Sequence, residues 1–317
     1  MMIILQYLFY ILIFPGALFT IAAGLLLAGI DRKVIAHMQK RIGPPVAQPV
    51  YDFFKLLGKE TIIPATANRA AYLIAPVVSF VSLCIVMLFI PILGFRAIGG
   101  AADMIVILYL ITIPGAALIV GGAASGSPFA GIGISREMVT MMAYELPLVI
   151  ILLTVAKKVG GDMLIFDLGI VSAYQAQAGS LITEWSMIPA AVAMLLVIPA
   201  EIGTQPFDVA EAENEICEGP LVEYSGSPLA LFKLSINMKM IIMTGLFTAL
   251  FFGGIRTGFV ITDLIVFVLI SIAVMLVCIT TTHAITARLK IEHLFKFYWT
   301  VVAGLALISA VLVWIGL

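Results

Sequence analysis

Seven acidic side chains, Glu201, Asp208, Glu211, Glu213, Glu215, Glu218 and Glu223, fall between Pro199 and Gly226 without one lysine or arginine among them. Phe207, Val209, Ile216, Leu221 and Val222 are interleaved with the acids, which a solvated acidic tail would not need. A folded segment with that many carboxylates must import cations from elsewhere in the chain or keep some carboxyls protonated, their titrations coupled. Carboxyl groups held near neutrality are suited to passing protons. Oxygen-rich clusters also bind calcium or magnesium, but no glycine-punctuated calcium-loop spacing occurs here, and no metal site is expected.

Other ionisable residues interrupt apolar runs. Glu145 lies eight residues after Glu137 and nine after Arg136 in an otherwise apolar stretch, where an ionised carboxylate costs roughly 2.5 to 3.5 kcal/mol unless it is paired or hydrated. It is either a structural carboxylate hydrogen-bonded inside a bundle or a group on an ion path. Lys233 and Lys239 either snorkel to opposite interfaces or face the interior of a bundle. His283 reads as a satisfied polar contact. Cys84, Cys217 and Cys278 are far apart with no ligand spacing, which predicts no cluster, metal or disulfide. No catalytic residue is expected in this chain.

The elements that must position these groups follow from the scarcity of charge. Of 317 residues 62% are hydrophobic and 11% charged, against about 25% charged in soluble domains. That excludes an ordinary soluble enzyme, and a net charge of -1 supplies no basic field for nucleic acid. A membrane-spanning helix needs about 20 apolar residues. Runs between charges predict eight: Ile3 to Ile30, interrupted by Pro15; the run between Arg69 and Arg96; a third from Asp103 fading into the Gly/Ser-rich Gly121 to Ser135; and Met138 to Ala156. The rest are Trp185 to Ala200, Leu229 to Gly254, the run between Asp263 and Arg288, and Phe297 to Leu317. The fifth is short and holds Pro189 and Pro199, so it needs protein neighbours to cover freed backbone groups. The expected fold is all-α: a polytopic membrane protein of about eight transmembrane helices, several tilted or broken, with cytoplasmic amphipathic segments.

Orientation follows from the basic residues of the loops. One alternate set of loops carries eleven (Arg32, Lys33, Lys40, Arg41, Lys55, Lys59, Arg69, Arg136, Arg288, Lys290, Lys296), while the other carries four (Arg96, Lys157, Lys158, Arg256). The richer set is expected in the cytoplasm. The chain then reads as one transmembrane domain over 1–317, with cytoplasmic loops about 31–70, 125–137, 201–227 and 286–296 and an outer interfacial segment about 157–184. In the first loop, Val50, Phe53, Phe54 and Leu57 recur at helical spacing after Pro49, with Asp52, Lys55 and Lys59 on other faces. Such a helix either anchors at the membrane surface or docks a soluble partner, and the cationic loop is positioned to supply partners for the acidic one.

The pattern Ala200-Glu201, Pro206 to Asp208, Glu211, Glu213, Glu215, Gly219 and Val222 to Gly226 closely resembles the H-type membrane subunit (subunit 1) of proton-pumping NADH:quinone oxidoreductase. The resemblance extends to Asp31 to Val34, Gln39, Arg41, Gly43-Pro44, Gln48-Pro49, Asp52, Lys55-Leu56 and Lys59-Glu60, to Arg136 with Tyr144-Glu145, and to Arg288, Lys290, Glu292 and Trp299. The chain also departs from that family. Its first loop is shorter, and Thr204, Thr140 and Thr300 stand where an arginine, a glutamine and a lysine are usual. In these respects it is similar to the membrane subunits of energy-converting membrane-bound NiFe hydrogenases and their sulfur-reducing relatives.

The resemblance implies a membrane-anchoring and energy-coupling subunit of an oxidoreductase complex in the prokaryotic plasma (inner) membrane. It implies a proton-transfer or coupling chain of Glu137, Glu145, Glu201, Asp208, Glu211, Glu213, Glu215 and Glu223. The charge partners would be Arg32, Lys33, Arg41, Arg136, Lys233, Lys239, Arg288 and Glu292, and Asp52, Lys55, Lys59 and Glu60 would dock a subunit. Implied partners are hydrogenase-like large and small (iron-sulfur) subunits on the cytoplasmic side, small multi-helix membrane subunits, antiporter-like subunits and the lipid bilayer. The NiFe centre and iron-sulfur clusters would belong to those partners, with no cofactor bound by this chain. Two other readings are the quinone-site-forming membrane subunit of a proton-pumping quinone oxidoreductase and a stand-alone secondary transporter.

Overall fold

The computed structural model describes residues 2–255 and 258–316, with the side chains of residues 2, 3, 213 and 214 left aside. No strand forms among them, and eight helical spans are long and apolar enough to cross a membrane. The first span is broken. Helix α1 (Met2–Leu12) ends before Pro15, and α2 (Ala17–Met38) resumes with the Thr20 hydroxyl donating to the carbonyls of Gly16 (2.7 Å) and Pro15 (3.3 Å). The hydroxyl thereby adds side-chain hydrogen bonds to carbonyls at the break in the span, where Gly16 also accepts from the Thr20 amide at 3.1 Å.

Helix α2 does not stop at Asp31, where the apolar run ends. It continues for two further turns, because Leu27, Asp31 and Ile35 repeat at i, i+4 and i+8 and are all buried, while Arg32 and Lys33 face outward. The next segment, residues 43–47, folds back over it. A β-carbon at Gly29 would lie 1.9 Å from the Val46 carbonyl oxygen, so only glycine permits this approach. Amphipathic α3 (Gln48–Leu57) follows and packs on α2. It turns Val50, Phe53 and Leu56 toward the bundle and leaves Tyr51, Phe54 and Leu57 exposed, which moves the buried face one position from the expected Phe54 and Leu57.

Helices α4 (Arg69–Phe89) and α5 (Asp103–Ser125) form a close antiparallel pair. The Gly/Ser-rich stretch expected as a loop over 125–137 is almost entirely helical. Gly126, at φ +72°, closes α5, and Pro128 at the first turn opens α6 (Pro128–Gly160) at once. Arg136 and Glu137 are therefore helical residues. Tight packing explains the stretch: a β-carbon at Gly133 would lie 2.5 Å from Pro220 Cδ, a distance only glycine permits, and one at Gly122 would lie 3.1 Å from Pro220 Cβ.

Helix α7 (Leu168–Ala178) and short 3-10 turns lead to α8 (Ile188–Ile202), which ends in left-handed Gly203. The acidic segment contains the four-residue α9 (Glu213–Ile216) and a 3-10 turn, Gly219–Leu221. Helix α10 (Gly226–Phe251) is the axis of the bundle, touching α2, α3, α4, α8 and α11 (Val260–Met275). The last two spans each contain a π-helical turn. Leu276–Thr280 joins α11 to α12 (Thr281–Ile285), and Tyr298–Val302 joins α13 (Ile291–Phe297) to α14 (Ala303–Ile315). Arg256 lies outside the described residues.

Candidate functional site

The buried charges converge where α6, α8 and α10 meet beneath the acidic segment. Glu201 lies in the last turn of α8, and Lys239 lies mid-way along α10, with side chains essentially shielded. The Lys239 ammonium donates to Glu201 Oε1 and to the Glu201 carbonyl, both at 2.9 Å. The second carboxylate oxygen, Glu201 Oε2, is buried without a hydrogen-bond partner among the described residues. Glu137 and Thr140, one turn apart on α6, face the same cavity of about 50 Å3, which Asp208 and Glu211 also line. A cavity needs only about 10–15 Å3 by this measure to hold a water with polar partners.

Lys239 thus shares this cavity with two carboxylates, the buried Glu201 and the half-buried Glu137. A water in the cavity would connect the carboxylate oxygens for proton exchange. Tyr144, fully buried one turn beyond Thr140, lies against the Glu201 carboxyl group. Glu145 does not line this cavity and makes no ion pair among the described residues.

Outside the spans the acidic segment is held by cations. Arg288 grips Asp208 through a fork of contacts at 2.8 to 3.1 Å. Arg136 donates to Glu215 at 2.6 Å and to the Val209 carbonyl at 3.3 Å. Lys233 stands 3.9 Å from Glu211 and 3.7 Å from Glu218. Burial pushes the Glu211 carboxyl above the ordinary carboxylate range. Lys233 pulls it back, while Glu218 and Asp208 push it further up.

None of the partners expected from the first loop is ion-paired to the acidic segment among the described residues, although Arg32 lines the polar cavity that Asp208, Glu211 and Glu218 also line. Arg32 binds Asp52 at 2.8 Å instead, and with Gln48 at 2.9 Å it holds that carboxyl below its ordinary range despite the opposing effect of burial. Arg41 is taken up by Gln39, and Lys33 lies exposed. Arg32 and Lys33 are exposed residues of α2, and the Arg32 guanidinium is committed to Asp52. Glu215 and Glu223 lie at the surface, Glu292 shares a surface hollow with Arg136, Arg288 and Lys290, and the Glu213 side chain lies outside the described residues.

Two contacts escaped the sequence reading. Asp31, buried in α2, accepts a 2.6 Å hydrogen bond from Thr280 in the first π turn and lines, with His283, a polar cavity of about 310 Å3 that reaches Asp208 and Glu211. The i, i+4, i+8 register of Leu27, Asp31 and Ile35 was the available signal. Tyr72 and Tyr224 stack at 4.1 Å, and each hydroxyl donates to a backbone carbonyl across the contact, Tyr72 to Glu223 (2.7 Å) and Tyr224 to Tyr72 (3.1 Å). This clasp fixes the exit of the acidic segment to α4.

Eight spans enclosing a buried ion pair, with an acidic segment held by Arg136, Lys233 and Arg288, define a multi-pass membrane protein. The chain belongs to the NADH dehydrogenase family, whose model matches residues 9–314. It is 36% identical to the H-type subunit of the NADH-quinone oxidoreductase of Rhodospirillum rubrum, over 89% of this chain and 86% of that one. It is 34% identical to hydrogenase-4 component C of Escherichia coli, over 78% and 81%. Among solved structures it superposes on a chain of the membrane-bound sulfane sulfur reductase, an archaeal respiratory membrane complex, with a TM-score of 0.87 and 28% identity over 99% of this chain and 100% of that one. These relatives are subunits of multisubunit membrane oxidoreductase complexes, and this chain is the corresponding membrane subunit.

Proposed function

We propose that the chain is the membrane-anchoring and energy-coupling subunit of a complex-I-like membrane-bound NiFe hydrogenase or a sulfur-reducing relative. It sits in the prokaryotic plasma membrane with its long loops cytoplasmic, docks the hydrophilic redox arm there, and relays redox energy into proton or sodium translocation. The hydrogenase-like large and iron-sulfur subunits carry the metal centres, and antiporter-like and small multi-helix subunits adjoin it in the bilayer. The observation that carries this reading is the buried Glu201–Lys239 pair, with its open carboxylate oxygen and Glu137 across a cavity that continues into the acidic segment. A charge arriving in the partner arm shifts the field on this group and so changes which carboxyl holds the proton.

The test is ion movement by the assembled complex in proteoliposomes alongside its redox activity with artificial donors. In Glu201→Gln and Glu137→Gln variants ion movement per turnover should fall at least tenfold while the redox activity remains. Undiminished ion movement in both would overturn the reading. The likeness to the Rhodospirillum rubrum subunit favours a second reading, in which the chain forms a quinone site. Photolabelling of the chain by a quinone analogue, together with inhibition by quinone-site ligands, would favour that alternative.

A further inference from the structure

The polar cavity of about 310 Å3 beneath the acidic segment is lined by four acids, Asp31, Asp208, Glu211 and Glu218, and by Arg32, Lys233, Arg288 and His283. All but one of these side chains have a partner. Arg288 forks Asp208, Lys233 stands between Glu211 and Glu218, Thr280 donates to Asp31, and Arg32 is committed to Asp52 outside the cavity. His283 is the exception. The sequence makes it a satisfied polar contact, yet its Nδ1 is buried without a hydrogen-bond partner, and its Nε2 makes no hydrogen bond among the described residues. The π turn and α12 pack on α2, and Thr280, one turn before His283, engages only Oδ1 of Asp31. The Asp31 carboxyl and the imidazole thus front the same cavity. Two residues beyond His283 the chain reaches the exposed Ile285 and Thr286. On the opposite wall, Asp208 and Glu211 line both this cavity and the smaller one that holds Glu201 and Glu137.

We infer that His283 is the proton-collecting residue of the relay, taking a proton from the surface on its imidazole and passing it through cavity water to Glu211. The inference rests on the relay reading of Glu201 and Glu137 and extends it to the point of entry. Imidazole is the one side-chain type lining the cavity that readily both accepts and donates a proton near neutral pH. Arginine does not release its proton. A partner fixed to either ring nitrogen would fix the tautomer and oppose transfer, as in a structural histidine. Of the acids, Asp208 is held in its charged form by the Arg288 fork, whereas Glu211 has only Lys233 at 3.9 Å, which leaves it free to accept. In the step itself a proton binds the free ring nitrogen, the imidazolium releases a proton to the Glu211 carboxylate, and the ring returns to neutral. Asp31 steadies the imidazolium while it exists, and Arg32, Lys233 and Arg288 on the other walls oppose its charge. The cavity holds several waters at about 10–15 Å3 each by this measure, enough to bridge the two groups.

The experiment measures proton uptake per redox turnover by the assembled complex in proteoliposomes for His283→Ala, His283→Gln and Glu201→Gln, with and without added imidazole or pyrazole. His283→Ala should lower uptake by about tenfold or more, and imidazole should restore it. Pyrazole has the same ring size and is a far weaker base, so it should fill the space without restoring uptake. His283→Gln keeps a polar side chain that cannot exchange protons, and it should lose uptake as the alanine variant does. If the alanine variant fails to assemble, His283→Gln still decides the matter. Normal uptake in His283→Gln, no recovery with imidazole, or equal recovery with pyrazole would overturn the inference. Loss of uptake in Glu201→Gln alongside normal uptake in His283→Gln removes the entry point alone. Undiminished uptake in both Glu201→Gln and Glu137→Gln removes the relay itself.

Discussion

Two groups of buried charge sit at opposite ends of the bundle, and both contain two carboxylates for one cation. At one end Arg96 is held between Asp103 and Asp167, the latter at 2.7 Å. The excess negative charge there is absorbed by backbone amides, Gly100 donating to Asp103 at 2.7 Å and Gly169 to Asp167 at 2.6 Å. At the other end Lys239 faces Glu201 and Glu137, and one Glu201 oxygen is left open beside a cavity. The charge count is the same and the completion of hydrogen bonds is not. A finished cluster ties loop to helix, whereas an unfinished one retains the capacity to exchange a proton. Counting charged residues could not have told these apart.

The largest expected effect separates the two as lock and relay. Arg96→Met leaves the shielded Asp103 carboxylate without its cation and should cost about 3–5 kcal/mol. Thermal unfolding of the complex should register that loss, and the surviving complex should move as many ions per turnover as the unaltered one. Lys239→Met should destabilise by a similar amount and abolish ion movement as well. A normal ion yield in that variant would erase the distinction drawn between the clusters.

Asp208→Asn comes next, since it removes the charged half of the Arg288 fork, an interaction of about 1.5–3 kcal/mol. Limited proteolysis within residues 203–225 should quicken, and Arg288→Lys should not restore protection because an ammonium cannot reproduce the planar fork. Glu211 gives a pH signature. Its carboxyl is raised by burial, so between the ordinary glutamate value and its own the folded protein keeps a proton that the unfolded chain has released. Its contribution to stability is complete below the ordinary value and declines as pH rises through the folded one. The slope of Tm against pH should flatten over that interval in Glu211→Gln. The smallest effect belongs to Lys233, half-exposed and 3.7 to 3.9 Å from its acids. Its replacement by alanine should change stability by less than about 1 kcal/mol.

Spacing between charges made the eight spans legible, because a hydrocarbon interior excludes unpaired charge and the rule operates residue by residue. Helix ends were less legible for the same reason read in reverse. Asp31 is charged and still helical, since Thr280 from a distant span caps its carboxylate, and Gly121 to Ser135 looks like a linker although its small residues admit Pro220 and Tyr224. Site composition was visible in the motif around Glu201, but pairing was not. Opposite charge suggested the first loop as counterpart to the acidic segment, whereas Lys233, Lys239, Arg136 and Arg288, which only the resemblance named as charge partners, come from helices and a turn whose contacts the packing decides. Glu145 drew attention through its apolar neighbours, yet Glu137, eight residues earlier near an arginine, is the α6 carboxylate that lines the cavity with Glu201, Asp208 and Glu211.

The two π turns carry a consequence for how this chain tolerates insertion and deletion. A π turn accommodates one residue beyond an α turn, and each such residue rotates everything after it by about 100°. Thr280 and His283 meet the Asp31 side of the bundle at the phase set by the first π turn. Removing a single residue from Leu276–Thr280 would leave the hydropathy of the span nearly unaltered and its length sufficient. It would nevertheless swing the hydroxyl and the imidazole away from α2, so the span would still insert while facing its neighbours wrongly. In this stretch the number of residues is as much a functional constraint as their identity.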